Sequence, residues 1–241
     1  MEEKQLHNRF SEGFRDGIPI GLGYLSVSFT FGMMAVSMGL PVWAAVVISF
    51  TNVTSAGQFA GLSILTAGSP LLEMALTQLV INSRYALMSL SLSQKLHRSI
   101  SRAERFLIAF GITDEIFAVS SGKCGEVGTR YMLGLMSMPI VGWSLGTFVG
   151  AAASSILPEF IRSALGIAIY GMFIAIIVPP ARHIRPVGIV VAAAVTLSCL
   201  FTYTPVLNQV SGGFVIILCA VAAAAFGAKL YPVEERSQSD A

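Results

Sequence analysis

Long apolar stretches, each near the length of a membrane-spanning helix, alternate with short polar connections along most of the 241-residue chain. A helix needs about 20 apolar residues to cross about 30 Å of hydrocarbon. Segments that meet or approach this length are 17–38, 41–67, 70–92, 105–121, 131–156, 161–178, 187–203 and 212–230. None alternates like a barrel strand, and backbone groups inside hydrocarbon must then be satisfied within helices. The pattern predicts an all-α bundle of about six to eight transmembrane or half-membrane helices.

The segment 41–67 contains an uncharged polar stretch, "SFTNVTSAGQFAG" at Ser49–Gly61, between two apolar runs. Its hydroxyl and amide side chains can satisfy backbone groups freed by a break, and Gly57 tolerates unwound dihedral angles. The N–H groups exposed at a half-helix N-terminus form a ready carboxylate site. We therefore predict an unwound, cavity-lining element from Asn52 to Gln58, with Asn52, Ser55, Gly57 and Gln58 binding substrate. The alternative is an unbroken helix whose Ser and Thr side chains bond to the preceding turn.

Composition excludes a soluble protein. Charged residues make up only 12% of the chain and hydrophobic residues 54%, with a mean hydropathy of +0.74. Soluble domains carry about 25% charged residues. Between Arg15 and Glu73 the single charged residue is Asp16, so these stretches cannot form a water-exposed surface. The chain is predicted to be a polytopic membrane protein.

Basic residues predict how the chain is threaded, because Lys and Arg concentrate on the cytoplasmic side. They cluster in the N-terminus, 94–105, 123–130, 182–185 and the C-terminus. All basic clusters lie on the cytoplasmic side only if one of the first three segments enters and leaves the membrane on the same side. Segment 41–67 is the best candidate, because it contains the polar stretch. Segment 105–121 is a second possible half-helix; alternatively, one mildly basic outer loop permits a full crossing. We expect a cytoplasmic N-terminus (1–16), one membrane-embedded domain (17–230) and a cytoplasmic tail (231–241).

Signatures of soluble enzymes and of metal sites are missing from the sequence. It contains no phosphate-binding G-x-x-x-x-G-K-[ST] loop, no complete dinucleotide fingerprint and no H-E-x-x-H. The three histidines lie in charged loops or termini, and the three cysteines form no C-x-x-C. We therefore expect no enzyme activity, no cofactor, no metal and no nucleic-acid partner.

Segment 70–92 carries the densest polar pattern. Gln78, Asn82, Tyr85 and Ser89 follow helical spacing and share one face, with Arg84 on the neighbouring face beside Glu73 and Thr77. Polar residues at membrane depth are expensive and usually functional. We predict substrate-binding roles for Gln78, Asn82, Arg84 and Tyr85. Each charged residue of this segment also has a non-functional interpretation. Arg84 could snorkel to the headgroups of the inner leaflet, and Glu73 could cap the helix at the membrane interface.

Two adjacent carboxylates, Asp114 and Glu115, lie within the short segment 105–121. Adjacent helical residues point about 100° apart, so the two side chains cannot face the same partner. We expect one to be paired and the other to be protonated near neutral pH, which suits proton coupling or ammonium binding. The alternative is a purely structural ion pair with Arg84.

Small residues predict how the helices pack. Gly142, Gly146 and Gly150 recur every four residues, as do the pairs Gly17/Gly21 and Gly57/Gly61. Such stripes allow helix backbones to approach closely in lipid.

The motifs "TSAGQF", "INSRYAL" and "GITDEIFA", in this order, resemble the AzlC family, the large subunit of branched-chain amino acid exporters. The resemblance covers Phe14 to Tyr231. It implies a transporter that exports small apolar amino acids and requires a small AzlD-type membrane subunit as partner. By position, Gln58, Arg84 and the pair Asp114/Glu115 match family motif residues.

The sequence departs from the family pattern inside the presumed cavity. Asn82 stands where the family often has an acidic residue, and Tyr85 where it often has histidine. The presumed cavity thus lacks one acid and one titratable ring of the family pattern. The leading hypothesis is an exporter coupled to protons or to the membrane potential, and the coupling group stays open. The alternative function is a non-transporting membrane subunit with an assembly or sensing role, whose polar interior only fixes helix register.

Overall fold

The computed structural model describes residues 9–154, 156–158, 160, 164, 167, 171, 174 and 177–232. Within them the chain is helical, and the pairing of extended backbone is limited to one isolated bridge between Leu96 and Val127. The helices are α1 (Phe10–Ser37), α2 (Val42–Thr51), α3 (Ser55–Thr66), α4 (Leu71–Ser93), α5 (Arg102–Phe110), α6 (Asp114–Gly122), α7 (Thr129–Ala153), α8 (Arg185–Tyr203) and α9 (Gly212–Leu230). The predicted all-α membrane fold is confirmed.

Both predicted helix interruptions are present. Segment 41–67 forms α2 and α3, separated by the non-helical residues 52–54, and segment 105–121 forms α5 and α6, separated by 111–113. The first break is shorter than predicted. Only Asn52, Val53 and Thr54 are unwound, because the Thr54 hydroxyl accepts a bond from the Gly57 N–H at 3.4 Å and starts a new helix. The expectation that Ser55–Gln58 is unwound was therefore wrong.

Helix boundaries differ from the hydropathy pattern mainly at the first helix. Helix α1 begins at Phe10, seven residues before the predicted start, because its first turns are charged but still packed. Lys123 pairs with Glu12 at 2.5 Å and lies 3.7 Å from Asp16, which fixes this end of α1 to the connection between α6 and α7. The helices α1, α7, α8 and α9 are long and apolar enough to cross a membrane. Predicted segment 161–178 and the two tails lie largely outside the described residues.

Glycines bring α1 and α7 into backbone contact, as the small-residue pattern predicts. A Cβ atom at Gly142 would lie 2.3 Å from the Gly21 carbonyl oxygen, and one at Gly150 only 1.9 Å from that of Phe29. Neither distance is possible for a real side chain. The two backbones can approach this closely only because glycine occupies the interface.

Described residues fall into two compact units. The first comprises Met1–Leu62 and Ile81–Ile167, with a core in which Tyr131, Met132 and Leu135 of α7 are fully buried. This unit contains both helix interruptions, and with them most of the polar side chains considered below.

The second unit comprises Ser63–Val80 and Ala168–Ala241, including α8 and α9. Inside it, the buried carboxylate of Glu73 accepts a hydrogen bond from the Gly213 N–H at 2.8 Å. Glu73 is 1% exposed and sits at the start of α9 as well as in the first turn of its own helix. Glu73 therefore acts as a helix cap, and the helix that it caps is α9.

Candidate functional site

An ion pair joins α4 to the start of α6. The Arg84 guanidinium donates through Nη1 to the Asp114 carboxylate, and the two side chains are 41% and 47% exposed. Asp114 reaches this position because the break at 111–113 ends α5 and Thr113 begins α6 as its N-cap, accepting from the Ile116 N–H at 3.4 Å. The carboxylate therefore also faces the positive end of α6. A half-exposed pair of this kind contributes little to stability and stays accessible to a ligand.

Tyr85 supports the same arginine. Its phenol oxygen accepts from Arg84 Nη2 at 3.2 Å, and the guanidinium carbon lies 4.8 Å from the centre of its ring. Arg84 is thus held by Asp114 on one side and by Tyr85 on the other.

Glu115 has a different partner from its neighbour, as the helical geometry predicts. The Tyr24 hydroxyl on α1 donates to the Glu115 carboxylate. Because the phenol has one proton, the Thr113 hydroxyl at 2.7 Å is placed to donate to the Tyr24 oxygen. A connected series of hydrogen bonds therefore runs from the Ile116 amide through Thr113 and Tyr24 to Glu115.

A second polar network, which is fully buried, lies next to the first helix break, between α2, α3 and α7. Gln58 accepts from the Trp143 indole N–H at 2.9 Å and donates to the Ser49 hydroxyl at 3.3 Å. Ser49 shares a further hydrogen bond with Thr147 at 2.7 Å. Gln58 is 2% exposed, so its amide bonds to protein groups and does not face open space. This network ties α2 and α3, on both sides of the break, to α7.

An aromatic contact connects the two networks. The rings of Tyr24 and Trp143 pack edge to face, with centroids 5.3 Å apart and planes at 76°. Through this contact the carboxylates at the start of α6 are linked to the buried amide at the start of α3. The site is therefore one continuous arrangement that spans both interrupted helices.

The predicted site residues divide into three groups. Arg84, Tyr85, Asp114 and Glu115 are brought together with Tyr24, and Gln58 joins them through Trp143. Asn52 and Ser55 are half-buried at the break, while Gly57 is buried with its N–H bound to Thr54. Gln78 belongs to the second compact unit, where its side-chain amide lies 4.0 Å from the Met74 sulfur. Asn82 lies half-buried on α4 in the first unit, one turn before Tyr85.

Sequence reasoning missed Tyr24 and Trp143. Each is an aromatic residue with a polar atom inside an otherwise apolar segment, and such atoms need a partner once buried. The need for a hydrogen-bond partner could have singled out these two residues, but the sequence does not say which distant residue supplies the partner.

Comparison with known proteins gives a consistent picture. A family model described as AzlC protein matches residues 19–157, which include every residue of both networks. Inner membrane protein YgaZ of Escherichia coli is 31% identical over 173 residues, covering 69% of this chain and 71% of that protein. An uncharacterized membrane protein of Archaeoglobus fulgidus is 32% identical over 180 residues, covering 73% of this chain and 78% of that protein. No solved structure matches the chain.

Proposed function

Because the chain belongs to the AzlC family of membrane proteins, we propose that it is a secondary transporter exporting branched-chain, small apolar amino acids across the cytoplasmic membrane. The observation that carries the proposal is the half-exposed Arg84–Asp114 pair, set where an interrupted helix begins. Both termini and the basic clusters lie on the cytoplasmic side in this proposal. Transport further requires a small AzlD-type membrane subunit as partner.

The chemistry of the pair suits a zwitterion. An amino acid carries a carboxylate for Arg84 and an ammonium for Asp114, so it can insert between the two charges and replace one ion pair by two. When the site is empty, the two side chains neutralise each other, and no uncompensated charge remains at membrane depth. In this proposal, apolar residues beside the pair accept the aliphatic side chain.

Glu115 is the proposed coupling group. Asp114 already has Arg84 as its partner, whereas the partner of Glu115 among the described residues is the neutral phenol of Tyr24, which donates a hydrogen bond to it. A carboxylate with a neutral partner can take up and release a proton without breaking an ion pair. Tyr24 also contacts Trp143, which binds Gln58. A movement of Glu115 would therefore be transmitted through these two aromatic residues to the buried network around Gln58.

A second candidate function has one observation in its favour. The amide of Gln58 is buried and fully engaged with Trp143 and Ser49, as expected for a residue that fixes helix register. A non-transporting membrane subunit with an assembly or sensing role needs only such a network. It requires no saturable flux.

Reconstitution separates these functions. The purified protein would be placed in vesicles with and without its small partner, and uptake of labelled valine, leucine and isoleucine measured. We expect saturable flux that Arg84→Ala and Asp114→Asn abolish, while the exposed control variants Arg98→Ala and Glu126→Gln retain it. Absence of flux in the presence of the partner, with correct assembly, would favour the non-transporting subunit.

A further inference from the structure

A groove with a volume of about 500 Å³ lies between the C-terminal half of α4 and helix α5. Its walls are mainly apolar and include Leu90, Leu92, Leu96, Phe106, Ile108 and Ile112. This volume lies within the range of sites that hold small organic molecules, about 300–1,000 Å³. We call it the α4–α5 groove; the residues that form it all belong to the first compact unit.

The open side of the α4–α5 groove is strongly apolar. Phe106 on α5 is 78% exposed and Leu90 on α4 is 64% exposed, and they belong to segments 105–121 and 70–92, both predicted to lie in the membrane. Side chains of this size and exposure would be adverse in water but favourable against acyl chains. If segments 70–92 and 105–121 lie in the membrane as the hydropathy pattern predicts, the groove opens toward hydrocarbon.

The rim of the groove is basic. Arg102 and Arg105 line it at the start of α5, beside a connection that the charge distribution assigns to the cytoplasmic side. Arg105 is fixed by donating to the carbonyl oxygens of Ser93 at 3.3 Å and Ile100 at 3.4 Å. Arg102 is exposed and pairs with no carboxylate among the described residues.

The nearest acidic neighbour along α5 is already engaged. Glu104 accepts from the Ser101 hydroxyl at 2.7 Å and from the Ser101 N–H at 2.8 Å, completing a capping box. These hydrogen bonds lower the pKa of Glu104 below its ordinary value, and the hydroxyl of Ser101 has the larger effect. Its carboxylate is thus committed to the helix cap, and the guanidinium of Arg102 keeps its donors for an external anion.

We infer that the α4–α5 groove binds an anionic phospholipid of the cytoplasmic leaflet. One acyl chain lies along the apolar wall, and the phosphate lies at Arg102 and Arg105, with the N-terminus of α5 adding positive potential. Apolar walls at membrane depth below a cationic rim at headgroup level match the order of groups in a phospholipid. A zwitterionic lipid offers the same chain, but its headgroup carries no net negative charge.

Lipid in this groove would contact α4, which carries Arg84, and α5, which precedes the helix that carries Asp114. Helix α4 carries Arg84 shortly before its groove-lining residues, which begin at Ala86, and α5 leads directly to the break and Asp114. The lipid is therefore placed to hold α4 and α5 together beside the pair, without touching it.

Quenching by brominated lipid tests the inference. Phe106→Trp places a reporter in the groove, and the parent protein supplies the background from Trp43 and Trp143. In phosphatidylcholine vesicles, brominated phosphatidylglycerol should quench the reporter more strongly than brominated phosphatidylcholine. Arg102→Gln should reduce this preference about fivefold, the effect of one surface cation on binding to anionic lipid. The matched control Arg98→Gln, an exposed arginine outside the groove, should leave it unchanged.

A second variant tests the acyl-chain wall. Ala109→Phe fills part of the groove from an exposed position and should reduce quenching by both brominated lipids. Equal quenching of the reporter by the two lipids, or equal effects of Arg102→Gln and Arg98→Gln, would overturn the inference. Cross-linking of a membrane protein to Phe106→Cys would show a protein occupant and overturn it as well. Lipid binding is measured without transport, so it is independent of the proposed function.

Discussion

Gln58 accepts a hydrogen bond from the indole N–H of Trp143 at 2.9 Å, and both side chains are only 2% exposed. This contact joins the first turn of α3 to the middle of α7, 85 residues later in the chain. An interrupted helix would otherwise be free to shift at its break. The bond gives the break a defined position relative to the most extensively packed helix of the unit.

Removing one partner of this bond should destabilise the protein. Trp143→Phe leaves the Gln58 carbonyl oxygen buried without its donor, which costs about 1–3 kcal/mol. The double variant Gln58→Leu/Trp143→Phe removes both polar groups and should recover part of that loss. The free energy of unfolding of each variant would be measured by denaturant unfolding in detergent, monitored by fluorescence and circular dichroism. Additive losses in the double variant would show that the two side chains do not interact.

Reversing the Arg84–Asp114 pair distinguishes ligand binding from structural pairing. Arg84→Ala and Asp114→Asn should each lower export at least about tenfold, because one charge loses its partner. The double variant Arg84→Asp/Asp114→Arg restores opposite charges but would bring a substrate carboxylate next to Glu115. We expect normal membrane levels without recovered export from cells loaded with a branched-chain dipeptide. Full recovery would assign the pair a structural role.

Glycine contacts between α1 and α7 should tolerate no side chain. Gly150→Ala places a Cβ 1.9 Å from the Phe29 carbonyl oxygen and must push the helices apart, at a cost of about 1–3 kcal/mol or more. Gly23→Ala is the matched control, since a Cβ there meets nothing within 4 Å. Thermal unfolding and the monodisperse yield in detergent would compare them. Equal behaviour of the two variants would contradict the described packing.

The cap of α9 should depend on Glu73 and not on the neighbouring hydroxyl. Glu73→Leu leaves the Gly213 N–H without its acceptor, and we expect a loss of about 1–3 kcal/mol. Thr77→Val is the control, because the Thr77 hydroxyl is buried and has no hydrogen-bond partner among the described residues. Removing that hydroxyl should be neutral or stabilising. Hydrogen exchange of the first amides of α9 would report the loss of the cap directly.

Local and compositional signals were sufficient for the membrane class and for most helix bounds. Hydropathy and backbone satisfaction leave few alternatives inside hydrocarbon, so helices α8 and α9 follow almost directly from the apolar runs 187–203 and 212–230. The distribution of basic residues indicated both interruptions, and glycine spacing marked the faces of α1 and α7 that allow close approach, although it did not pair these two helices. Each of these signals depends on residues close together in the sequence.

Long-range contacts were decided only by the tertiary structure. The length of the first break depends on whether Thr54 caps α3, a competition between local conformations that residue types alone leave open. The choice of Arg84 as partner for Asp114, and of Tyr24 for Glu115, depends on how α1, α4 and α6 pack. Likewise, Gln58 was identified as an important polar residue, but its burial against Trp143 follows from the position of α7. Burial makes an unsatisfied polar group expensive, so the sequence shows that a partner is needed, while the packed fold selects which residue provides it.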